Sequence, residues 1–587
     1  MATTDAQTLM PGSAKRFFSE QLMLDLCRVL VEKNLVIRAQ IDQLNSRRAL
    51  TGEPIDKMLV KESLVRDIEV LQALSGLTNI PFQHIGDFKI DVEAVKKVQP
   101  RIALRYNIMP LKLGGGTITL AISEAPHTSM VDSLHMLLNM AIDWVLCTES
   151  DIVKTIKHFY GLGAETIDNL VEQSGAEVEV QSTDVSVETT DAGIVKFVNQ
   201  IIGEAIRMDA TDIHIEPFEN RLRLRYRIDG ILQDVPIPKG VPQLKKAIAS
   251  SLKIMAELNI AEKRKPHDGR ISVRSGNDQF DLRISILPSA HGETVCLRIL
   301  NRNAMFIDLG HLGLTPEQMP FINYLSDLPH GVILLTGPTG SGKTTTLYAV
   351  LSRINKSDVK IITVEDPIEY QMEGISQIQV HAQIGLTFAN ILRSILRHDP
   401  DIILIGEIRD METADIAVRA SLTGHLVFST LHTNDAPSAI ARLTDMGVEP
   451  YLISSCLEGA IAQRLVRRIC ASCKEEMIPD DVIVEEIAEA YPERIAGAKF
   501  YKGRGCPDCN FTGYKGRLAL FEIMILNDAI RAMIVHQRPS NEIKHKAMEN
   551  GMVTLRKDGW RAVLAGSTAI DEVVRVAKKI ELASVGS

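Results

Sequence analysis

Apolar residues recur at three- to four-residue spacing from Gln21 to about Pro81. The pattern runs through LMLDLCRVLVEKNLV and again through PIDKMLVKESLVRDIEVLQALSGL, which predicts amphipathic helices and a weak internal repeat. From about Phe82 to Tyr160 the period changes. ITLAIS and DWVLCTE read as strands, with SMVDSLHMLLNM as a helix between them, a small α/β domain. After Ile194 a helix, VKFVNQIIGEAIRM, leads into alternating segments DIHIEP, RLRLRYRIDGIL, RISVRS, DLRISILP and TVCLRIL, whose arginines fall on one face of a sheet. From about Phe306 to Arg467, short wholly apolar runs such as Val332–Leu335 alternate with helical patterns, as in a parallel, doubly wound α/β sheet. The remainder, to Ser587, reads as a cysteine-containing element and a helical tail.

Composition narrows the class. With 587 residues and 45% hydrophobic content the chain has material for several cores. A net charge of -9 and 5% aromatics argue against a protein that coats nucleic acid. Between Lys157 and Lys196 there is no Lys or Arg, while acids from Glu165 to Asp191 accumulate, which predicts a solvated linker. The segment MATTDAQTLMPGSAKRFF has no apolar signal-peptide core and no stretch approaches the ~20 residues of a membrane span, so a cytoplasmic protein is expected.

The chemistry is concentrated after Val332-Ile333-Leu334-Leu335. There Gly337-Pro338-Thr339-Gly340-Ser341-Gly342-Lys343-Thr344, followed by Thr345, fits GxxxxGKT between a buried strand and a helix. Glycines let backbone N–H groups close around a β-phosphate, Lys343 neutralises β/γ charge, and the Thr344 hydroxyl helps to hold Mg2+. A second acidic element is required. Asp401–Ile405 runs into Gly406-Glu407, where glycine occupies the usual aspartate position and Glu407 is the acid; Val359–Val364 ends in Glu365-Asp366-Pro367 at the same edge. Either Glu365 or Glu407 is placed to accept or orient a proton from attacking water. Arg393 and Arg397, four residues apart, are expected to share a helix face and to stabilise negative charge or bridge subunits. His425 and His432 flank an apolar strand where a γ-phosphate sensor belongs.

Of eight cysteines, Cys27, Cys147, Cys296 and Cys456 read as small core residues. Cys470, Cys473, Cys506 and Cys509 form two CxxC pairs, a tetrahedral Zn2+ signature of the closed, structural kind.

Taken in order, ATDIHIEP, RYRIDG, PHDGRI, LPSAHGETVCLRIL, GPTGSGKTTT, TVEDPIEY, LRSILRHDPDIILIGEIRD and TGHLVFSTLHTNDA resemble the secretion ATPase superfamily, especially the GspE/PilB assembly ATPases of type II secretion and type IV pili. The resemblance implies ATP as nucleotide, a RecA-like ATPase core preceded by a PAS-like α+β domain, and a hexameric ring. It also implies an Asp box around Glu365 and Asp366, an atypical Walker B ending at Glu407, a His box with His425 and His432, and basic positions Arg225, Arg227, Arg270 and Arg283 able to reach a nucleotide. The tetracysteine element followed by GYKGRLALFEIM marks extension-type members.

Expected units are therefore a helical segment 1–82, an α/β docking domain 83–165, an acidic linker 166–192, the PAS-like domain 193–305, the RecA-like domain 306–467, a zinc element 468–515 and a helical region 516–587. Expected partners are an inner-membrane platform protein and a cytoplasmic adaptor, placing the chain peripherally on the inner membrane. The first helices resemble the cyclic-di-GMP-binding module of some relatives, but Cys27-Arg28, Asn34 and Ser63 stand where glycines belong. Because glycine permits close approach to a ligand, protein docking rather than cyclic-di-GMP binding is expected. The activity implied is ATP hydrolysis that polymerises pilin or pseudopilin. The alternatives are a DNA-uptake pseudopilus motor and a nucleic-acid translocase, the latter disfavoured by the acidic charge.

Overall fold

Two helix–turn–helix units open the described chain. The computed structural model describes residues 20–51, 54–161, 187–238, 241–276, 278–301 and 308–577. Helices Glu20–Glu32 and Arg38–Thr51 make the first unit, Ile55–Lys61 and Asp67–Thr78 the second. Both turns close identically: Leu35 N donates to Leu30 O and Leu64 N to Leu59 O, each at 3.0 Å. Both place a non-glycine residue in the left-handed region, Asn34 at φ 55° and Ser63 at φ 56°. Leu26 and Ile55, Leu30 and Leu59, and Val36 and Val65 occupy equivalent buried positions, so the internal repeat extends to the core.

These helices, expected as the segment 1–82, pack on the unit that follows. Their apolar faces share one core with the sheet that follows, Leu30 and Leu59 packing in a cluster with Ile118, Leu120 and Leu134. That sheet is β1 (Met109–Gly114), β2 (Thr117–Ile122) and β3 (Ala141–Leu146), in that spatial order. Helix Glu149–Tyr160 closes the unit. Residues 162–186, most of the expected acidic linker, lie outside the described residues; its last residues belong to helix Val187–Arg207.

The arginine-rich domain is a six-stranded antiparallel sheet: β4 (Ala210–Pro217), β5 (Leu222–Ile228), β6 (Ile231–Val235), β7 (His267–Ser275), β8 (Asp278–Ser289) and β9 (Gly292–Asn301), ordered β6-β5-β4-β9-β8-β7. In β5, Leu222, Leu224, Tyr226 and Ile228 are buried, and Arg223, Arg225 and Arg227 point the other way, as strand alternation requires.

The third sheet has seven strands. β10 (Gly331–Thr336), β11 (Ile361–Glu365), β12 (Ser376–Gln379), β13 (Ile402–Ile405), β14 (Leu426–Leu431) and β15 (Leu457–Ile469) are mutually parallel. Between β15 and the last strand lies a hairpin of β16 (Lys474–Met477) and β17 (Phe500–Gly503); β18 (Tyr514–Ile525) then returns antiparallel to β15. The order is β12-β11-β13-β14-β10-β15-β18. The cysteine element is thus an insertion between two paired strands. Boundaries at 467 and 516 cut through the sheet, because β18 is buried from Leu518 to Phe521 under helix Leu555–Leu564 and carries the core rather than a helical tail.

Candidate nucleotide and metal sites

β10 is buried along its whole length and delivers the chain into Gly337–Gly342 and helix Lys343–Ile354. Gly342 stands at φ 86°, and a Cβ there would lie 2.8 Å from Gln463 Nε2, so both backbone and space demand glycine. At Gly337 a Cβ would meet Gln463 O and Ser341 Oγ, each at 2.7 Å. The side chain of Lys343 is buried in this loop, its Nζ donating to Gly337 O at 2.7 Å and Pro338 O at 3.2 Å. Burial pushes its pKa down to about 8, with Glu407 opposing and Arg464 assisting the shift.

Glu407 follows β13 and shares this edge. Its Oε2 lies 3.2 Å from His432 Nε2, and its other oxygen pairs with the Arg409 guanidinium. Partial burial raises the Glu407 pKa, but the hydrogen bonds and charges of Arg409 and His432 outweigh it and hold the carboxyl below its ordinary value. Gly406 earns its place by packing: a Cβ would stand 3.2 Å from Val364 O and 3.4 Å from Glu365 Cα. Glycine here lets β13 end against β11 and leaves the acid to the next residue.

Glu365 ends β11 in a buried setting. Its oxygens accept from the Tyr348 hydroxyl, from Thr363 Oγ1 at 2.6 Å and from Gln377 Nε2 at 3.2 Å. Asp366-Pro367 is a cis peptide.

The two histidines are not neighbours. His432 follows the C-terminal end of β14, whereas His425 precedes its N-terminal end, with Nδ1 2.8 Å from Ala420 O. A strand of this length separates them by about 20 Å. Arg393 lies in the last turn of helix Phe388–Ile395 and pairs with Glu412; Arg397 falls beyond that helix and donates to Arg393 O at 2.8 Å. Both are engaged within their own domain.

The arginine-rich sheet contributes a transverse row. Arg270 pairs with Arg283, Arg283 with Arg298, Arg298 with Asp212 and Asp212 with Arg227 as direct cross-strand neighbours. One carboxylate serves two guanidiniums: Arg298 Nε donates to Asp212 at 3.1 Å and Arg227 Nε lies 3.4 Å away. Arg225 is tied to Glu216 by two bonds, 2.9 and 2.7 Å. Arg283 reaches the other lobe, its Nη2 3.5 Å from Ile368 O and 3.7 Å from Glu369.

Arg409, Gln463 and Arg464 complete the site without having been singled out in sequence. Gln463 accepts from Thr346 Oγ1 at 2.8 Å, and buried Arg464 donates to Gln463 O and Asn434 O. Arg409 sits two residues after Glu407, which was the available signal; Gln463 and Arg464 come from β15, and only the parallel pairing of β15 with β10 brings them to the loop.

The four cysteines form one buried cluster whose sulfurs all lie within 4.8 Å of one another. Cys470–Cys506, Cys473–Cys509 and Cys506–Cys509 are each 3.8 Å apart, matching the edge of about 3.8 Å of a tetrahedron with Zn–S bonds of about 2.3 Å. Backbone N–H groups of Gly505 and Gly513 donate to Cys473 and Cys509 sulfurs at 3.3 and 3.2 Å. The donor set fits zinc. Among the described residues no helix is long and apolar enough to cross a membrane.

Residues 187–575 match the family described as type II/IV secretion system protein, and residues 78–166 match the MshEN domain. The type IV pilus assembly ATPase PilB of Myxococcus xanthus is 38% identical over 558 residues, 94% of this chain and 98% of its own. Type II secretion system protein E of Xanthomonas campestris is 39% identical over 563 residues, again 94% and 98% of the two chains. That of Pseudomonas aeruginosa is 48% identical over 399 residues, 68% of this chain and 78% of its own. The chain belongs to the type II/IV secretion system protein family, among its ATPases of type II secretion and type IV pilus assembly.

Proposed function

We propose that the chain works as a ring-forming cytoplasmic motor whose ATP hydrolysis moves an inner-membrane platform and thereby extends a pilin or pseudopilin fibre. The observation that carries this reading is the pairing of a phosphate loop and Glu407 at one sheet edge with an arginine row on a second lobe. Arg283 of that row already touches the segment after Glu365. Phosphate contacts shared between two lobes are lost on hydrolysis, and the lobe angle changes with them.

Within the site, Lys343 neutralises the β/γ-phosphates and Thr344 would hold Mg2+, which supplies charge neutralisation on those oxygens. Glu407, kept ionised by Arg409 and His432, is suited to ordering water rather than to taking its proton, since a low pKa makes a weak base. Glu365, with its oxygens occupied by Tyr348, Thr363 and Gln377, is assigned to holding the end of β11 and to receiving a proton when one donor swings away. Arg270 and Arg283 are assigned to phosphate charge. His425, Arg393 and Arg397 are assigned to structure. The cysteines would hold Zn2+, and the N-terminal unit would dock on the platform and adaptor.

The test is Mg-ATP turnover with and without DNA, alongside mass in solution by light scattering. DNA-independent turnover by a hexamer is expected; turnover that requires DNA would replace this reading with a nucleic-acid translocase.

A further inference from the structure

A cleft of about 890 Å3 opens beside the phosphate loop, and its walls come from separate parts of the chain. Gly342 and Thr345 form the floor, Asp229 of the arginine-rich domain one side, Asp508 of the cysteine element another, and Lys154 and Lys157 of helix Glu149–Tyr160 a third. Its volume is that of a small-molecule site. It begins where the first turn after the phosphate loop begins, which is where the nucleoside end of a nucleotide held by Lys343 must lie.

The N-terminal helix is seated there by several contacts. Lys154 Nζ lies 3.3 Å from Asp508 and Lys157 Nζ 2.8 Å from Glu204. Arg504 of the cysteine element reaches Asp87 at 3.2 Å. The Lys154–Asp508 and Arg504–Asp87 pairs are exposed, and pairs of that kind contribute little singly. The closer fit is apolar: the Phe511 ring lies 4.5 Å from the His158 ring, centroid to centroid, and 6.3 Å from Phe159. Phe511 adopts φ 62°, a conformation unfavourable for a bulky residue. Backbones also approach closely, since a Cβ on Gly86 would stand 3.3 Å from Cys506 Cβ and one on Gly161 3.0 Å from Pro236 O.

We propose that the N-terminal domain completes the nucleoside half of the nucleotide site, with helix Glu149–Tyr160 as its wall and Phe511 as the catch that seats it. The inference rests on the nucleotide reading above. It makes docking at the N-terminal domain and nucleotide affinity reciprocal, because whatever moves the wall must change binding and binding must resist that movement.

The experiment is calorimetric binding of ADP and of inorganic tripolyphosphate to the full chain. In a Lys154→Glu, Phe511→Gly variant, ADP affinity is expected to fall about fivefold or more, with tripolyphosphate binding unchanged. Glycine suits the backbone at 511, and retained tripolyphosphate binding reports an intact loop. Exchanging the charges, Lys154→Asp with Asp508→Lys, is expected to keep ADP affinity at the wild-type level. ADP affinity that is unchanged or tighter in the first variant, or a loss shared equally by tripolyphosphate, overturns the proposal. Lys343→Ala separates the two readings: if it leaves ADP binding intact, the nucleotide site itself is misplaced and the wall falls with it. If it abolishes ADP binding while the wall variant does not affect it, only the wall falls.

Discussion

His432 Nε2 stands 3.2 Å from Glu407 Oε2, tying the end of β14 to the acid that follows β13. The contact helps Arg409 to hold the Glu407 carboxyl below its ordinary pKa against the upward push of burial. A carboxyl depressed in this way is functional above its pKa and is lost as pH falls through it. His432→Ala should therefore move the acid limb of the kcat/KM profile to higher pH, and Arg409→Ala should move it further. An acid limb unmoved in both variants would detach Glu407 from turnover.

Lys343 titrates at about 8, below its usual range, because it is buried. A bound polyphosphate restores the charged form, so between about pH 8 and 10 nucleotide binding should take up as much as about one proton, and affinity should weaken as pH rises through that window. Calorimetry at about pH 8.5 in two buffers of different ionisation enthalpy measures this; identical apparent enthalpies would show that the lysine is already charged.

The N-terminal repeat makes a stability prediction. Asn34 and Ser63 occupy the same left-handed turn position, and asparagine tolerates it better than serine. Ser63→Gly should stabilise the chain by about 1 kcal/mol and Asn34→Gly by less. Chemical denaturation followed through the transition of this unit is the measurement.

Because the cysteine element is inserted between β15 and β18, a metal held by its four sulfurs would support the sheet as well as the element itself. Cys506→Ser should lower bound zinc from about one per chain and expose the 470–513 segment to protease, with some loss of thermal stability in the ATPase sheet. Elemental analysis that finds unchanged zinc would remove the assignment.

Local signals were legible in the sequence and pairings were not. The phosphate loop, the CxxC pairs and the arginine alternation of β5 each depend on spacing within a few residues, and the structure places them accordingly. The row Arg270, Arg283, Arg298, Asp212 and Arg227 depends on antiparallel register, which no single strand encodes. His425 and His432 flank β14 in sequence, and the strand carries them to its opposite ends, which leaves only His432 beside Glu407. Gly406 stands where an aspartate is usual; its close approach to Val364 O and Glu365 Cα is visible only when β11 and β13 are side by side. The core that the first helices share with β1–β3 crosses residue 82, and β18 crosses residue 516, because one core and one sheet are each built from segments that read differently along the chain.

The most direct test of the account is ATP turnover and ATP binding by Glu407→Gln in the full chain. Glutamine keeps the shape but not the charge, so binding near the wild-type level with turnover reduced by about 100-fold or more is predicted. Wild-type turnover in this variant would contradict the placement of the hydrolytic centre at the edge shared by Lys343, Glu407 and His432.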